Sequence, residues 1–378
     1  MLFRSVTFAN PWATYTGGDP FPALNTLSTT APFAQEGIYV NSPLHTQPMY
    51  LEQWNFSIQR QVSSWLFGAT YLGNRTLHLP TSYEADPAIY TAGNCVKGQY
   101  GLTAAGPCST TKNYNARRLL YEQNPAQGVY YSTIGQYDDG GIADYNGMLI
   151  QVQRRAKVMN IVANYTLAHC LSESETTELT GPSYQIPPAV DPNGRRLSYS
   201  NCDSDRRQVA NVSLILNSPH FSNHPTDLVA SGWQLSTIYT HTTGGFNSVS
   251  TGIDTSLTGT GTAYAINPAN PFGTRTNFGT QNYLVAASNF TAPATGTYGP
   301  QRPLTIVGPS SYELDMSLSR TFTIHESQKV QFRWEAFNVP NEVILSGIGG
   351  NSLTSSTFGQ FTSAGSPRIQ QVALKYLF

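Results

Sequence analysis

The stretch PRIQQVALKYLF, Pro367–Phe378, is one strand's length of period-two sequence. From Ile369 onward Val372, Leu374, Tyr376 and Phe378 fall on one face, with Gln371, Ala373 and Lys375 on the other. In a water-soluble protein a terminal strand of this kind is an aggregation-prone edge unless something covers it. In a bilayer the difficulty disappears, because lipid solvates the apolar face and closure of the sheet pairs the last strand with the first. A buried strand of a soluble fold alternates in the same way, so the rest of the chain has to discriminate.

The pattern recurs upstream in pairs. Trp54, Phe56 and Ile58 oppose Gln53, Asn55, Ser57 and Gln59, and after a turn at Gln61–Ser64 the apolar face continues through Trp65, Phe67, Ala69 and Tyr71. Met148, Ile150 and Val152 alternate with Gln151 and Gln153, turn at Arg155–Lys157, and return through Ile161, Ala163, Tyr165 and Leu167. A third pair runs through Ala210, Val212, Leu214 and Leu216, then Trp233, Leu235 and Tyr239. A fourth runs through Tyr312, Leu314, Met316 and Leu318, then Val330, Phe332, Trp334 and Ala336. With a strand tail read at residues 1–8, this makes about ten strands, each roughly the ten residues needed to cross a hydrocarbon layer at a tilt.

The connections alternate strictly. Short ones follow Gln61, Arg155, Leu216 and Thr323; long ones, read as irregular, fill about 75–144, 170–205, 243–310 and 339–366. That one-sided arrangement belongs to transmembrane β-barrels, with tight turns at one end and long loops at the other. A soluble antiparallel sandwich or jelly roll also alternates, but compact domains rarely carry such loops. Glu313, Asp315, Arg333 and Glu335 lie on the polar face, where a dry core could not hold them unpaired. The expected fold is therefore all-β, an antiparallel up-and-down transmembrane barrel portion with long external loops.

Composition agrees. Of 378 residues only 11% are charged while 12% are aromatic, with 22 Tyr, 17 Phe and 5 Trp. A net charge of −1 gives nucleic acid no electrostatic footprint. Mean hydropathy is −0.28, and no apolar run approaches the ~18 residues of a membrane-spanning helix; a barrel is mildly hydrophilic on average because lumen-facing residues alternate with lipid-facing ones. Met1-Leu2-Phe3-Arg4 has no signal-peptide pattern, so an exported protein is expected to begin upstream.

YLEQWNFSIQRQV with FGATYLGNRTLHL, DYNGMLIQVQRRA with NYTLAHC, SGWQLSTIY, SYELDMSLSRTF with VQFRWEAFNVPN, and PRIQQVALKYLF resemble, in that order, barrel segments of TonB-dependent outer-membrane receptors of the Oar-like type. The ending also resembles the C-terminal assembly signal of bacterial outer-membrane barrels, with Tyr376 and Phe378 in the signal positions. The resemblance implies a 22-stranded barrel holding an N-terminal plug, a nutrient ligand such as a siderophore, cobalamin or an oligosaccharide, assembly by the barrel assembly machinery, and coupling to TonB through the plug. Residues 1–378 then correspond to the C-terminal portion of the barrel, in outer-membrane lipid, with plug and N-terminal strands absent and no transport by this chain alone. The rival reading is a surface or secreted glycan-binding, adhesin-like β protein.

Four cysteines fall in the long loops. Three pairings exist; loop membership favours Cys95–Cys108 and Cys170–Cys202, which needs an oxidising compartment. No CxxC-like zinc spacing is present. Cys202-Asp203-Ser204-Asp205 offers too few oxygens for calcium. His220 and His224 have i, i+4 spacing in a Pro-containing turn without HExxH. Gly347–Asn351 reads as a flexible loop tip, and Asp138-Asp139-Gly140-Gly141 as a turn. No catalytic constellation, cofactor motif or metal-ligand set is legible, so the expectation is a binding and transport protein rather than an enzyme, with substrate-binding residues unassigned.

Overall fold

The computed structural model describes residues 16, 35–173, 190–191, 194–273, 283–325 and 328–378; the strand expected at residues 1–8 lies outside them. Among the described residues the main sheet has eleven strands, nine of which form one continuous antiparallel path: β1 Tyr50–Val62, β2 Trp65–Glu84, β3 Tyr131–Arg155, β4 Met159–Ser172, β5 Gln208–Asn217, β6 Trp233–Thr242, β7 Ser311–His325, β8 Gln328–Phe337 and β9 Ile369–Leu377. Each pairs with its neighbours in sequence, from β1 through to β9. This is the up-and-down order that the alternation of short and long connections demands.

Register joins the individual strands into two continuous faces. One row runs Phe67–Val152–Ala163–Val212–Tyr239–Leu314 across six strands. One residue along the ladder, another runs Gln59–Gly68–Gln151–Asn164–Asn211–Thr240–Glu313. Directly opposed residues share a face and the side-chain period is two, so a slip by one residue anywhere would have crossed these rows. No slip occurs along them. The apolar row lies open: Phe56, Ile58, Phe67, Ile150, Leu167, Val372 and Leu374 are all exposed, with Leu374 at 75%. In water so much contiguous apolar area would drive association; in lipid it is the stable arrangement.

The short connections are tight. Ser63 takes φ 54° in the turn between β1 and β2, the left-handed conformation such hairpins require. The connection from β5 to β6 is longer and contains a helix, His224–Ala230, where a simple linker was expected. Gly232 follows it at φ 77°, the position where a helix end favours glycine.

Three further expectations are corrected. The segment 75–144 is strand at both ends and irregular between them, because β2 runs on to Glu84 and β3 begins at Tyr131. Asp138–Gly141 is therefore part of β3 rather than a turn. There the β2–β3 register shifts at Leu77, Leu79 and Thr81, and a Cβ on Gly141 would stand 2.5 Å from the Leu79 carbonyl oxygen; glycine serves close strand approach at this bulge. Gly347–Asn351 is no loose tip either: Leu345–Gly349 pairs with Gln360–Ala364. Upstream of β1, Gly37–Asn41 forms a short strand parallel to the start of β3.

Candidate functional site

The long connections all leave the sheet at one end, and there they pack on one another. From the end of β2, Glu84 turns inward and its Oε1 accepts hydrogen bonds from the backbone amides of Asp86 and Ile134, each at 2.9 Å. Asp86 Oδ1 in turn accepts from Leu120 N at 2.8 Å. Arg118 Nη1 lies 3.6 Å from Glu84, in a pair whose side chains are 4% and 1% exposed. Burial pushes the Glu84 and Asp86 carboxyls above the usual range, against the opposing pull of Arg118 and the backbone amides. Arg117 is fully buried. It donates to Asn113 Oδ1 at 3.1 Å and to the carbonyls of Ile89, Thr110 and Leu257, so one guanidinium fixes the first loop to the third.

The same junction is bridged by Ala88 N to Thr258 O, at 2.9 Å, and by Tyr114 Oη to Asp254 Oδ2, at 2.8 Å. Asp254 also accepts from the amides of Leu257 and Gly259, which curls residues 254–259 around its carboxylate as Asx turns do. Between these segments lies a cavity of about 320 Å³ lined by Pro87, Ile89, Tyr90, Leu119, Thr258 and Tyr298 among others, within the size range of small-molecule sites. Its walls are mostly apolar, with the Tyr298 and Thr258 hydroxyls 2.7 Å apart as polar handles.

A second core ties the third loop to the fourth. Val249, Ala265, Tyr283, Leu284, Phe290, Ile306 and Phe358 form one buried cluster, in which Phe290 meets Phe358 edge-on at 5.3 Å. Backbone bonds stitch it: Ser250 N to Asn351 O at 2.8 Å and Tyr283 N to Gly359 O at 2.7 Å. The second loop joins through Asn201 Nδ2 to Leu304 O, at 2.8 Å. All four connections thus contribute to one ordered cap over the end of the sheet.

Cys95 is joined to Cys108 and Cys170 to Cys202. The second bond sits where β4 leaves the sheet, beside the backbone bond from Cys202 N to Cys170 O. Asp205 is buried against Arg207 at 3.2 Å, which makes it an ion-pair partner rather than an open cation ligand. Among the described residues no group of three or more His, Cys, Asp or Glu side chains is placed to hold a metal ion. His220 is 88% exposed and pairs with Asp227 at 3.3 Å. Tyr376 and Phe378 stack at 6.0 Å on the exposed apolar face at the short-turn end. Sequence reading missed Glu84, Arg117, Arg118 and Asp254; adjacent arginines in so charge-poor a loop were the one available signal.

A family model for an outer membrane beta barrel domain matches residues 3–371. A search of curated proteins finds no match. Among solved structures, the chain is similar to the outer membrane transporter YddB of Escherichia coli at 8% identity, covering 91% of this chain and 35% of that one with a TM-score of 0.44. It is similar to the siderophore receptor PirA of Acinetobacter baumannii at 10% identity, 88% and 32% coverage and a TM-score of 0.39. The ferripyoverdine receptor of Pseudomonas aeruginosa, solved with ferripyoverdine bound, gives 10% identity, 88% and 28% coverage and a TM-score of 0.41. The chain spans about a third of the length of these structures. With the family model covering the first eight strands and the start of the ninth, and with one apolar face open to lipid, this chain is a member of the outer membrane beta barrel domain family and resides in the outer membrane of a Gram-negative cell.

Proposed function

We propose that the chain is the C-terminal wall and loop portion of a TonB-dependent receptor that takes up a scarce nutrient, such as a siderophore, cobalamin or an oligosaccharide. Its role is capture and passage, not catalysis. The observation that carries this reading is the pairing of a lipid-compatible wall with an ordered cap of long loops at one end only. In outer-membrane barrels long loops face outward and tight turns face the periplasm, so the cap stands where a ligand first arrives. The polar face, with its Gln, Asn, Thr and Glu row, suits a wet lumen.

Coupling to TonB belongs, in this proposal, to a plug supplied outside the segment, and Tyr376 with Phe378 serves as the contact for the barrel assembly machinery. β1 is exposed at every position and β9 at all but its last, as expected of strands whose outer edges meet further wall. The test is uptake by cells that express only this chain. Energy-dependent accumulation of a ferric siderophore, cobalamin or an oligosaccharide above background would refute the proposed division of labour. Surface binding of one of them without accumulation is the expected result.

A further inference from the structure

Among the described residues, the connection from β5 to β6 is the one short-side link that contains a helix, and its surroundings are unusual for a turn in water. Arg320 Nη1 donates to Val229 O at 2.8 Å, and Nη2 donates to Leu228 O. Trp233 Nε1 also donates to Val229 O, at 2.8 Å. Arg320 and Trp233 are directly opposed in the β6–β7 register, and Arg320 opposes Phe332 on β8. All three therefore belong to the apolar face. The helix end is consequently held on the lipid side of the wall, not under its mouth.

The segment carries polar side chains that reach water, Ser222, Asn223, His224 and Thr226, beside apolar ones that are also exposed. Asp227 accepts from Phe221 N, at 2.8 Å, and from Ser231 Oγ, while Phe221, Leu228 and Val229 are 40%, 66% and 69% exposed. Helix-end carbonyls facing water need no protein donors; in a water-poor layer each must be satisfied. Here two side-chain donors meet them. Both donor types suit a membrane boundary, where Trp concentrates and long cationic side chains reach toward headgroups. The Arg320 guanidinium is further held over Trp233 at 5.5 Å and Phe322 at 4.7 Å.

We propose that Phe221–Ala230 is an interfacial anchor, bracketed by Arg320 and Trp233, whose Phe221, Leu228 and Val229 insert among the phospholipids of the periplasmic leaflet. Its apolar surface continues that of the wall, and the short-turn end of an outer-membrane barrel faces the periplasm. A short amphipathic segment lying in the interface plane gains from burying such side chains at the headgroup–acyl boundary. The inference rests on the outer-membrane placement of the wall.

The test is collision accessibility of a nitroxide label in the full chain folded into vesicles of phosphatidylethanolamine and phosphatidylglycerol. The label is placed by Leu228→Cys, with Ile150→Cys as the wall reference and Lys97→Cys as the external-loop reference. The expected ratio of oxygen to water-soluble nickel-chelate accessibility at 228 is several-fold above that at 97 and close to that at 150. Arg320→Ala should bring the 228 ratio down toward the loop value while leaving 150 unchanged; an unmoved 228 ratio would overturn the bracket. A loop-like ratio at 228 with 150 in lipid overturns the anchor alone. Low accessibility to both colliders would place Leu228 against protein, a second copy of this chain included, and also overturns it. A loop-like ratio at 150 removes the wall placement itself.

Discussion

Ile150 and Gln151 are consecutive on β3 and face opposite ways, which makes them a controlled test of which side of the sheet meets lipid. Ile150 pairs with Ala69 and Tyr165 on the apolar face; Gln151 pairs with Gly68 and Asn164 on the polar one. At about 3.3 Å per residue and a tilt of about 45°, the five residues from Arg155 back to Ile150 carry it about 12 Å into an apolar band about 25 Å tall. That is the midplane, where an arginine on the lipid face costs about 2–4 kcal/mol. Ile150→Arg is therefore expected to lower unfolding free energy by that amount, whereas Gln151→Arg, placed among hydrated groups, should stay within about 0.5 kcal/mol. Denaturant unfolding of each variant in vesicles, followed by tryptophan emission and heat-modifiable gel migration, reads the difference. The two faces predict opposite orders. Equal costs, or a larger cost at Gln151, would mean that the polar row packs inside a protein core and that lipid does not touch Ile150.

The remaining predictions concern the cap. Arg118→Met leaves Glu84 as a buried charge without its partner, and breaking such a pair costs about 3–5 kcal/mol; hydrogen exchange across residues 84–134 should accelerate sharply, and Glu84→Gln in the same chain should recover much of the protection. Replacing Cys170 and Cys202 by serine opens a loop with a sequence separation of 32; chain-entropy reasoning puts the loss at about 3–4 kcal/mol, expected as faster proteolysis within residues 171–201. Glu173 gives a pH dependence: burial pushes its carboxyl up to about 7, despite Arg195 at 3.7 Å. The folded state then holds a proton that the unfolded state releases near its ordinary value, so stability is full at low pH and falls as pH rises through about 7. Protection from exchange near Glu173, after correction for the intrinsic pH dependence of amide exchange, should be greater at pH 5 than at pH 8, and Glu173→Gln should abolish the difference. Tyr376→Ala with Phe378→Ala should reduce the folded form recovered from cells while leaving folding into vesicles unchanged; equal loss in both would make these residues structural rather than an assembly signal.

The contrast between what was legible and what was not follows the solvent. Where lipid lies on one side and water on the other, every second residue is under constraint, and the rows from Phe67 to Leu314 and from Gln59 to Glu313 could be read from alternation alone. β2 is 20 residues and β3 is 25; at that tilt, 20 residues rise about 45 Å, well beyond the hydrocarbon band. Above the band the constraint disappears. Thr81, Ser82 and Glu84 are buried there and Gly141 closes a bulge, so the upper strands read as loop although they are strand. Asp138–Gly141 misled for the same reason, its Asp-Gly composition being a turn signal in water.

The cap was illegible for a different reason. Its second core brings Val249 to Phe358 through irregular backbone, and no period marks residues that meet only in space. Its first junction depends on Arg117, a cation with 0% exposure that reaches four acceptors on three segments. An isolated arginine in such a place would be prohibitively costly, and nothing local to its sequence announces the carbonyls that await it. The wall takes its order from the membrane, whereas the cap has to supply its own, and it does so with buried ion pairs, Asx turns and aromatic contacts. That division makes the cap separately adjustable: the cavity bounded by Ile89, Leu119 and Tyr298 is lined by loop residues that take no part in the ladder of the wall, so substitutions there can reshape it without disturbing the sheet.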